Sequence, residues 1–411
     1  MKVQSDPPLH LTYCLNVHPG ERWTQNLDAI RRFALDVRDR VRPDGAFGLG
    51  LRLSARAADD LAAGDALERF AEFLGREDCY VFTVNGFPYG RFHRTRVKQD
   101  VYRPDWRTAE RRDYTIRLAE ILARLLPDGM PGSISTVPLS YKPWVTSDDV
   151  SAMISRLCEV VAHLVALRRR TGRTVRLALE PEPDCVLETT DEAVAWFTGP
   201  LGEQAPRLLA GLGLDADEAR AAVGEHLGVC VDTAHAAVEF ESPAEVLRRL
   251  GAAGVRVCKV QLSAALRAAP TRRALQRLAA FGDDVYLHQV RHRRADGTVT
   301  GYPDLSAALA AGADDAGGEW RVHFHVPLFF AGEGDPIGET MPTPNRDAEL
   351  GSTRRLLTGD FAAALKAGAT DQIEIETYTF DVLPDALAVA DPAEGIAREY
   401  DWVRTRLLGG A

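Results

Sequence analysis

Short apolar runs rich in β-branched residues alternate along this chain with longer stretches in which Ala, Leu, Arg and Glu recur at helical spacing. The runs are "LHLTYCLN" (9–16), "FGLGLRLS" (47–54), "CYVFTVNG" (79–86), "GSISTVPLS" (132–140), "TVRLALE" (174–180), "LGVCVD" (227–232), "VRVCKVQLS" (255–263) and "QIEIET" (372–377). Helical patterns separate most of them, among them those at 24–41, 109–126 and 148–170. Near-continuous apolar strands separated by helices predict a parallel sheet covered on both faces, and eight such units predict a closed (β/α)8 TIM barrel of α/β class. An open doubly wound sheet is the alternative, but no run leads into the GxGxxG turn of a dinucleotide site.

The alternation breaks once, between the seventh and eighth runs. There "DVYLHQVRH" (284–292) and "WRVHFHVPLFF" (320–330) read as strands, and "ADDAGGE" (313–319) and "AGEGDPIGETMPTPN" (331–345) as loops. We expect a β-containing insertion or lid over 284–345, within a single domain covering 1–411.

Composition changes this picture little. The 411 residues are 45% hydrophobic and 26% charged, enough to bury a full core, and the net charge of −10 argues against nucleic acid as a partner. The basic run "LRRRTGR" (167–173) ends a helical pattern and reads as a solvated face. No apolar stretch of signal-peptide or membrane-spanning length stands out, so a cytoplasmic protein is expected. Six cysteines lie scattered without a CxxC pair and read as small buried hydrophobes rather than disulfides or a zinc knuckle.

Barrel enzymes carry their chemistry where strands end. Here the first run ends in Asn16 and His18, the third in Asn85, the fourth near Ser140 and Lys142, and the fifth in Glu180 and Glu182. The sixth ends in Asp232 with His235, the seventh carries Lys259 and Gln261, and the eighth ends in Glu374 and Glu376. Carboxylates crowded into one mouth repel one another, which favours raised pKa values or a cation between them. Glu180, Asp232 and Glu376 offer hard oxygens suited to Mn or Mg; an imidazole moves the preference toward Zn or Co. His235 would be a further ligand or a substrate contact. Alternation along the fifth strand favours Glu180 as inward, while Glu182, past a proline, could face either way.

Each residue also has a plainer reading. Asp232 before Thr233 is a ready helix N-cap, and Glu180 a possible salt-bridge partner. The argument for a site is the coincidence of acids and histidines at successive strand ends. His323 and His325 share one face of an inserted strand, and His288 and His292 sit on another; either face could be exposed or could line a metal or substrate wall. "NGFPYGRFH" and "VKQDVYRPDW" form a packed loop or, by the functional reading, a pocket wall with Phe87, Tyr89, His93 and Lys98. In that wall Lys98, Arg96 or Lys142 would meet an anionic group.

"GVCVDTAH" resembles the strand-six motif of the xylose-isomerase-like barrel superfamily, which holds sugar isomerases, keto-sugar epimerases and enzymes of the endonuclease IV type. The resemblance implies a metal held by Glu180, Asp232, the seventh-strand position and Glu376. Gln261 stands at that position where a histidine is usual; it would ligate through its carbonyl oxygen, or His288 or His325 would reach in. Over nearly the whole chain, "LTYCLNVHPGERW", "GSISTVPLSYKPW", "LALEPEPDCVLETTDE", "HFHVPLF" and "IEIETYTFDVLP" resemble the metabolite traffic protein EboE family, tied to making or moving a small secondary metabolite.

Three functions follow as expectations. The first is a metal-dependent isomerase or epimerase acting on a sugar, cyclitol or similar polyol. In it Glu180 and Glu376 serve as acid/base pair and ligands, His235 and His18 meet hydroxyls, and Asn16, Asn85, Lys142, His325 and Lys98 contact substrate. The second is a non-catalytic metabolite-binding or carrier barrel, with proteins of the same metabolite pathway as partners, and the third an endonuclease IV-like phosphodiesterase, which the acidic charge opposes.

Overall fold

Eight parallel strands close into a cylinder: β1 (Pro8–Tyr13), β2 (Phe47–Arg52), β3 (Cys79–Asn85), β4 (Gly132–Thr136), β5 (Val175–Leu179), β6 (Leu227–Asp232), β7 (Val257–Leu262) and β8 (Gln372–Ile375). This computed structural model describes all residues except 92–97, 283–284, 313–316, 333–349, 358, 385–387 and 410–411. β8 pairs with both β1 and β7, consecutive strands pair from β2 to β7, and a bridge from Cys14 to Gly50 joins β1 to β2. A short strand, Lys2–Ser5, runs antiparallel beside β1. Helices follow the strands and form the outer ring, which is why β2, β6 and β7 are buried along their whole length and read as apolar runs.

The cylinder's interior is unusually polar. Lys259 on β7 donates to Glu374 on β8 and, at 3.2 Å, to Thr83 on β3. The Thr83 and Ser133 hydroxyls lie 2.8 Å apart, and Ser133 donates to Gln372 at 2.6 Å. Gly50 makes room for this chain, since a Cβ there would stand 2.0 Å from Glu374 Oε1 and 2.7 Å from the Tyr13 carbonyl. Gly50→Ala is therefore expected to cost about 1–3 kcal/mol, the usual range for overpacking, read as a lowered urea midpoint. An unchanged midpoint would mean that the β1–β2 closure yields freely.

The inserted sheet is larger than 284–345. Its five antiparallel strands run in the order Val299–Tyr302, Val290–Arg293, Glu319–His325, Ala265–Ala268, Leu350–Ser352, so it starts directly after β7. The central strand, Glu319–His325, slips register between Val322 and His325. Such a bulge kinks a strand and re-aims its side chains. Arg291 ties the sheet to the barrel through Asp184, Glu188 and Glu239.

The helix Ser147–Thr171 is, against expectation, long and apolar enough by composition to cross a membrane. In the fold it belongs to the ring: Met153, Ile154, Leu157, Val161 and Leu164 are buried, and it packs on β5 and three neighbouring helices. Its arginine-rich end is a solvated face, with Arg169 paired to Glu218, Arg170 to Glu120 and Arg173 to Asp128. All six cysteines are buried and none is in a disulfide.

Candidate metal centre at the barrel mouth

The carboxyl ends of the strands open into a cavity. Glu180, Glu182, His235, His323, His325 and Glu376 line its floor. Asp232 ends β6 with the two readings combined. Its Oδ1 caps the helix Thr233–Val238 by accepting from Ala234 N at 2.8 Å and His235 N at 3.0 Å, and takes the Ser263 hydroxyl at 2.7 Å. Its Oδ2 is buried with no hydrogen-bond partner, as are Glu180 Oε2, His323 Nε2 and His325 Nε2.

These atoms converge. Ligand atoms of Glu180, Asp232 and His235 lie within 4.8 Å of one another, as do those of Asp232, His325 and Glu376, and those of His235, His323 and His325. Burial and then mutual repulsion hold Glu180 and Glu376 well above the usual carboxylate range. Asp232 lies below its ordinary value although burial opposes it, because His235, His325 and the Ser263 hydroxyl favour its charge. Burial pushes His235 down to about 4, which leaves a neutral imidazole at neutral pH. Buried carboxylates that repel, imidazoles and orphaned oxygen and nitrogen atoms fit a divalent cation, which would supply the missing partner of each.

Glu376 is fixed from two strands: its Oε1 accepts from Asn16 at 2.7 Å and from Asn85 at 3.0 Å. Glu182 also faces the cavity, past Pro181; Tyr102 donates to it at 2.8 Å, and burial, with Asp232 adding to it, raises it to about 8. Phe87 and Lys98 line the wall, and Lys98 bonds the Tyr286 carbonyl at 2.7 Å and Asp304 at 2.8 Å.

Other expected residues lie elsewhere. The Gln261 carbonyl oxygen, the atom that would ligate, accepts from the Cys230 thiol at 3.0 Å; the imidazole missing from strand seven comes instead from His325. His288 sits behind the cluster, its Nδ1 3.0 Å from the His323 carbonyl and its ring against Phe324. His18 bonds Tyr13 Oη at 2.9 Å and stacks on Phe33, away from the cavity lining. Lys142 borders an outer cleft, paired with Glu188 and Glu192, because the chain turns outward after Leu139, whose φ is 71°. Tyr89 packs on Tyr114, and His292 meets Trp320 and the Gly317 carbonyl. His93 and Arg96 fall outside the described residues. The sequence reading passed over Tyr102, Gln289 and Tyr378, although Tyr102 lies inside "VKQDVYRPDW" and Gln289 inside "DVYLHQVRH".

No protein-family model matches the chain, and no curated protein matches it. Among solved structures it is similar to the IolI protein with a binding zinc atom, at 11% identity over 98% of each chain and a TM-score of 0.45. It is also similar to a D-tagatose 3-epimerase-like protein, at 13% identity over 62% of this chain and 76% of that one, TM-score 0.37. A third is the 3-keto-D-glucoside 4-epimerase YcjR from E. coli, at 14% identity over 62% and 79%, TM-score 0.35. At such identities and scores the likenesses say nothing of the chemistry, which has to come from this chain's own residues.

Proposed function

We propose that this barrel is a divalent-metal-dependent isomerase or epimerase acting on a sugar, cyclitol or similar polyol. The observation that carries the reading is a buried cluster in which Asp232 lies within ligand reach of Glu180 and His235 and, in a second grouping, of His325 and Glu376, with orphaned oxygens on Glu180 and Asp232. Glu180, Asp232 and Glu376 would hold the cation, with His325 in reach of Asp232 and Glu376. When bound, it would polarise a substrate carbonyl as a Lewis acid.

The chain's own groups then handle the proton. Glu376, held in place by Asn16 and Asn85, and Glu180, which lines the same cavity, are the carboxylates placed to carry it. One removes the proton from the carbon beside the carbonyl, and the other returns it to the neighbouring carbon or the opposite face. Glu182 and His235 offer polar contacts to hydroxyls, while Phe87, Val101 and Tyr378 exclude water from the wall. A place in the making or traffic of a small secondary metabolite rests on the sequence resemblance to the EboE family alone.

Elemental analysis of the purified chain tests the reading. Bound Mn, Zn, Co or Mg near stoichiometry is expected, reduced by an order of magnitude or more in Asp232→Ala/Glu376→Ala. Failure to load any of these ions from added salts would remove the metalloenzyme reading and favour a metabolite-binding barrel.

A further inference from the structure

One row of residues crosses the whole inserted sheet, Gly301–Arg291–Arg321–Arg267–Gly351, each directly opposite the next on the neighbouring strand. Directly opposed residues of antiparallel strands share a face, so three guanidinium groups stand side by side, where like charges repel. Glycine closes the row at both ends. A Cβ at 301 would stand 3.0 Å from Arg291 Nη1, and one at 351 would stand 3.3 Å from Arg267 Nε and Nη2.

The three arginines are answered unequally. Arg291 meets Asp184, Glu188 and Glu239. Arg321 donates to Glu319 at 2.6 Å and to the Ala237 carbonyl at 2.6 Å. Arg267 is only 11% exposed, yet its Nε is buried without a hydrogen-bond partner, and its one ion contact among the described residues is Glu319, 4.0 Å away. That carboxylate is already shared, since Arg355 donates to its other oxygen at 3.0 Å. Arg293, opposite Glu319 in register, lies 4.1 Å from the centre of the Phe240 ring, with Arg321 over the same ring at 4.2 Å. Burial and then Arg355 hold Arg267 below its ordinary pKa, and burial holds Arg321 below its own even with Glu319 beside it.

Among the described residues Arg267 and Arg321 reach Glu319 within 4.0 Å and Arg293 reaches no carboxylate at that distance, so two positive charges are in excess. A buried guanidinium short of acceptors is costly. A phosphate group carries about −1.5 to −2 charges at neutral pH and three acceptor oxygens, which matches both the excess and the guanidinium fork; a carboxylate would leave half of that charge unanswered. We propose that Arg267 and Arg321, with the 41% exposed Arg355 at the solvent edge, bind a phosphate group, either inorganic phosphate or that of a small monoester. None of these arginines lines the mouth cavity, so the site is separate from the metal centre. The phosphate would join the strands Ala265–Ala268 and Glu319–His325, and so brace the strand that carries His323 and His325.

The test is calorimetric titration of the whole chain with inorganic phosphate and with glycerol 3-phosphate, a simple monoester, at constant ionic strength. One phosphate per chain is expected, with a Kd below about 10 mM. Binding of both ligands would identify a phosphorylated metabolite as the occupant, and binding of inorganic phosphate alone would identify the free anion. Arg267→Met should weaken binding about tenfold or more. Glu319→Gln should tighten it, because it removes the carboxylate that competes for the same guanidinium groups; loss of binding through misfolding would move the other way. Asp232→Ala/Glu376→Ala should bind phosphate as the parent does, which separates this site from a cation at the mouth. No saturable binding, binding unchanged in Arg267→Met, or binding lost in Asp232→Ala/Glu376→Ala would overturn the site. Acetate bound as tightly as phosphate would overturn the choice of ligand.

Discussion

Lys259→Met is expected to destabilise the barrel by about 3–5 kcal/mol, among the largest effects of any single substitution here. Lys259 and Glu374 are 0% and 1% exposed, so removing the ammonium leaves a carboxylate deep in the cylinder with no counter-charge. Burial works against the ammonium, yet Glu374 beside it holds the lysine above its ordinary pKa. The double substitution Lys259→Met/Glu374→Leu removes both charges and should recover most or all of the loss, because well-packed apolar replacements of buried pairs are commonly neutral or better. Urea unfolding of the two single variants and the double variant measures this. Single variants no less stable than the double would show that the pair is not held as ions.

Glu376→Gln is expected to slow proton exchange at the carbon beside a substrate carbonyl by about 10²–10⁴-fold, the usual contribution of a positioned acid or base. Glutamine keeps an oxygen able to accept from Asn16 and Asn85, so the side chain stays where those amides put it. What it loses is the capacity to carry the proton and the negative charge it would bring to the cation, so metal content is measured beside the rate. Incorporation of deuterium from D₂O into trial keto-sugars and keto-cyclitols, followed by NMR at saturating metal, gives the rate. Exchange within tenfold of the parent would take Glu376 out of the proton-carrying role.

Much of the fold was legible because each barrel strand is covered on both faces. All eight apolar runs overlap the strand they predict and seven contain it whole, β1 starting one residue ahead of its run at Pro8, and the strand-end acids stood out because each closes an apolar run. Boundaries slipped where side chains alone do not decide: the fourth run extends to 140, but β4 stops at Thr136 before Pro138 and the left-handed Leu139. The site was half legible. That His323 and His325 share a face follows from alternation; that the face turns into the mouth depends on a bulge that one-residue periodicity cannot reveal. The direction of Lys142 was hidden for the same kind of reason, since closeness to a strand end fixes a position and not an orientation. The resemblance implies a histidine where Gln261 stands, and the imidazole within ligand reach of Asp232 and Glu376, His325, lies some sixty residues further on, where only the tertiary fold joins the two.

The inserted sheet leaves the chain right after β7 and returns just ahead of β8, which makes it look like an accessory that protein engineers could trim. Two of its histidines, His323 and His325, line the mouth, and His325 grips the backbone of Glu376. A minimal barrel shorn of the sheet could still close as a cylinder, but its mouth would lack these two imidazoles. For the same reason, moving the sheet onto another barrel would carry both imidazoles with it.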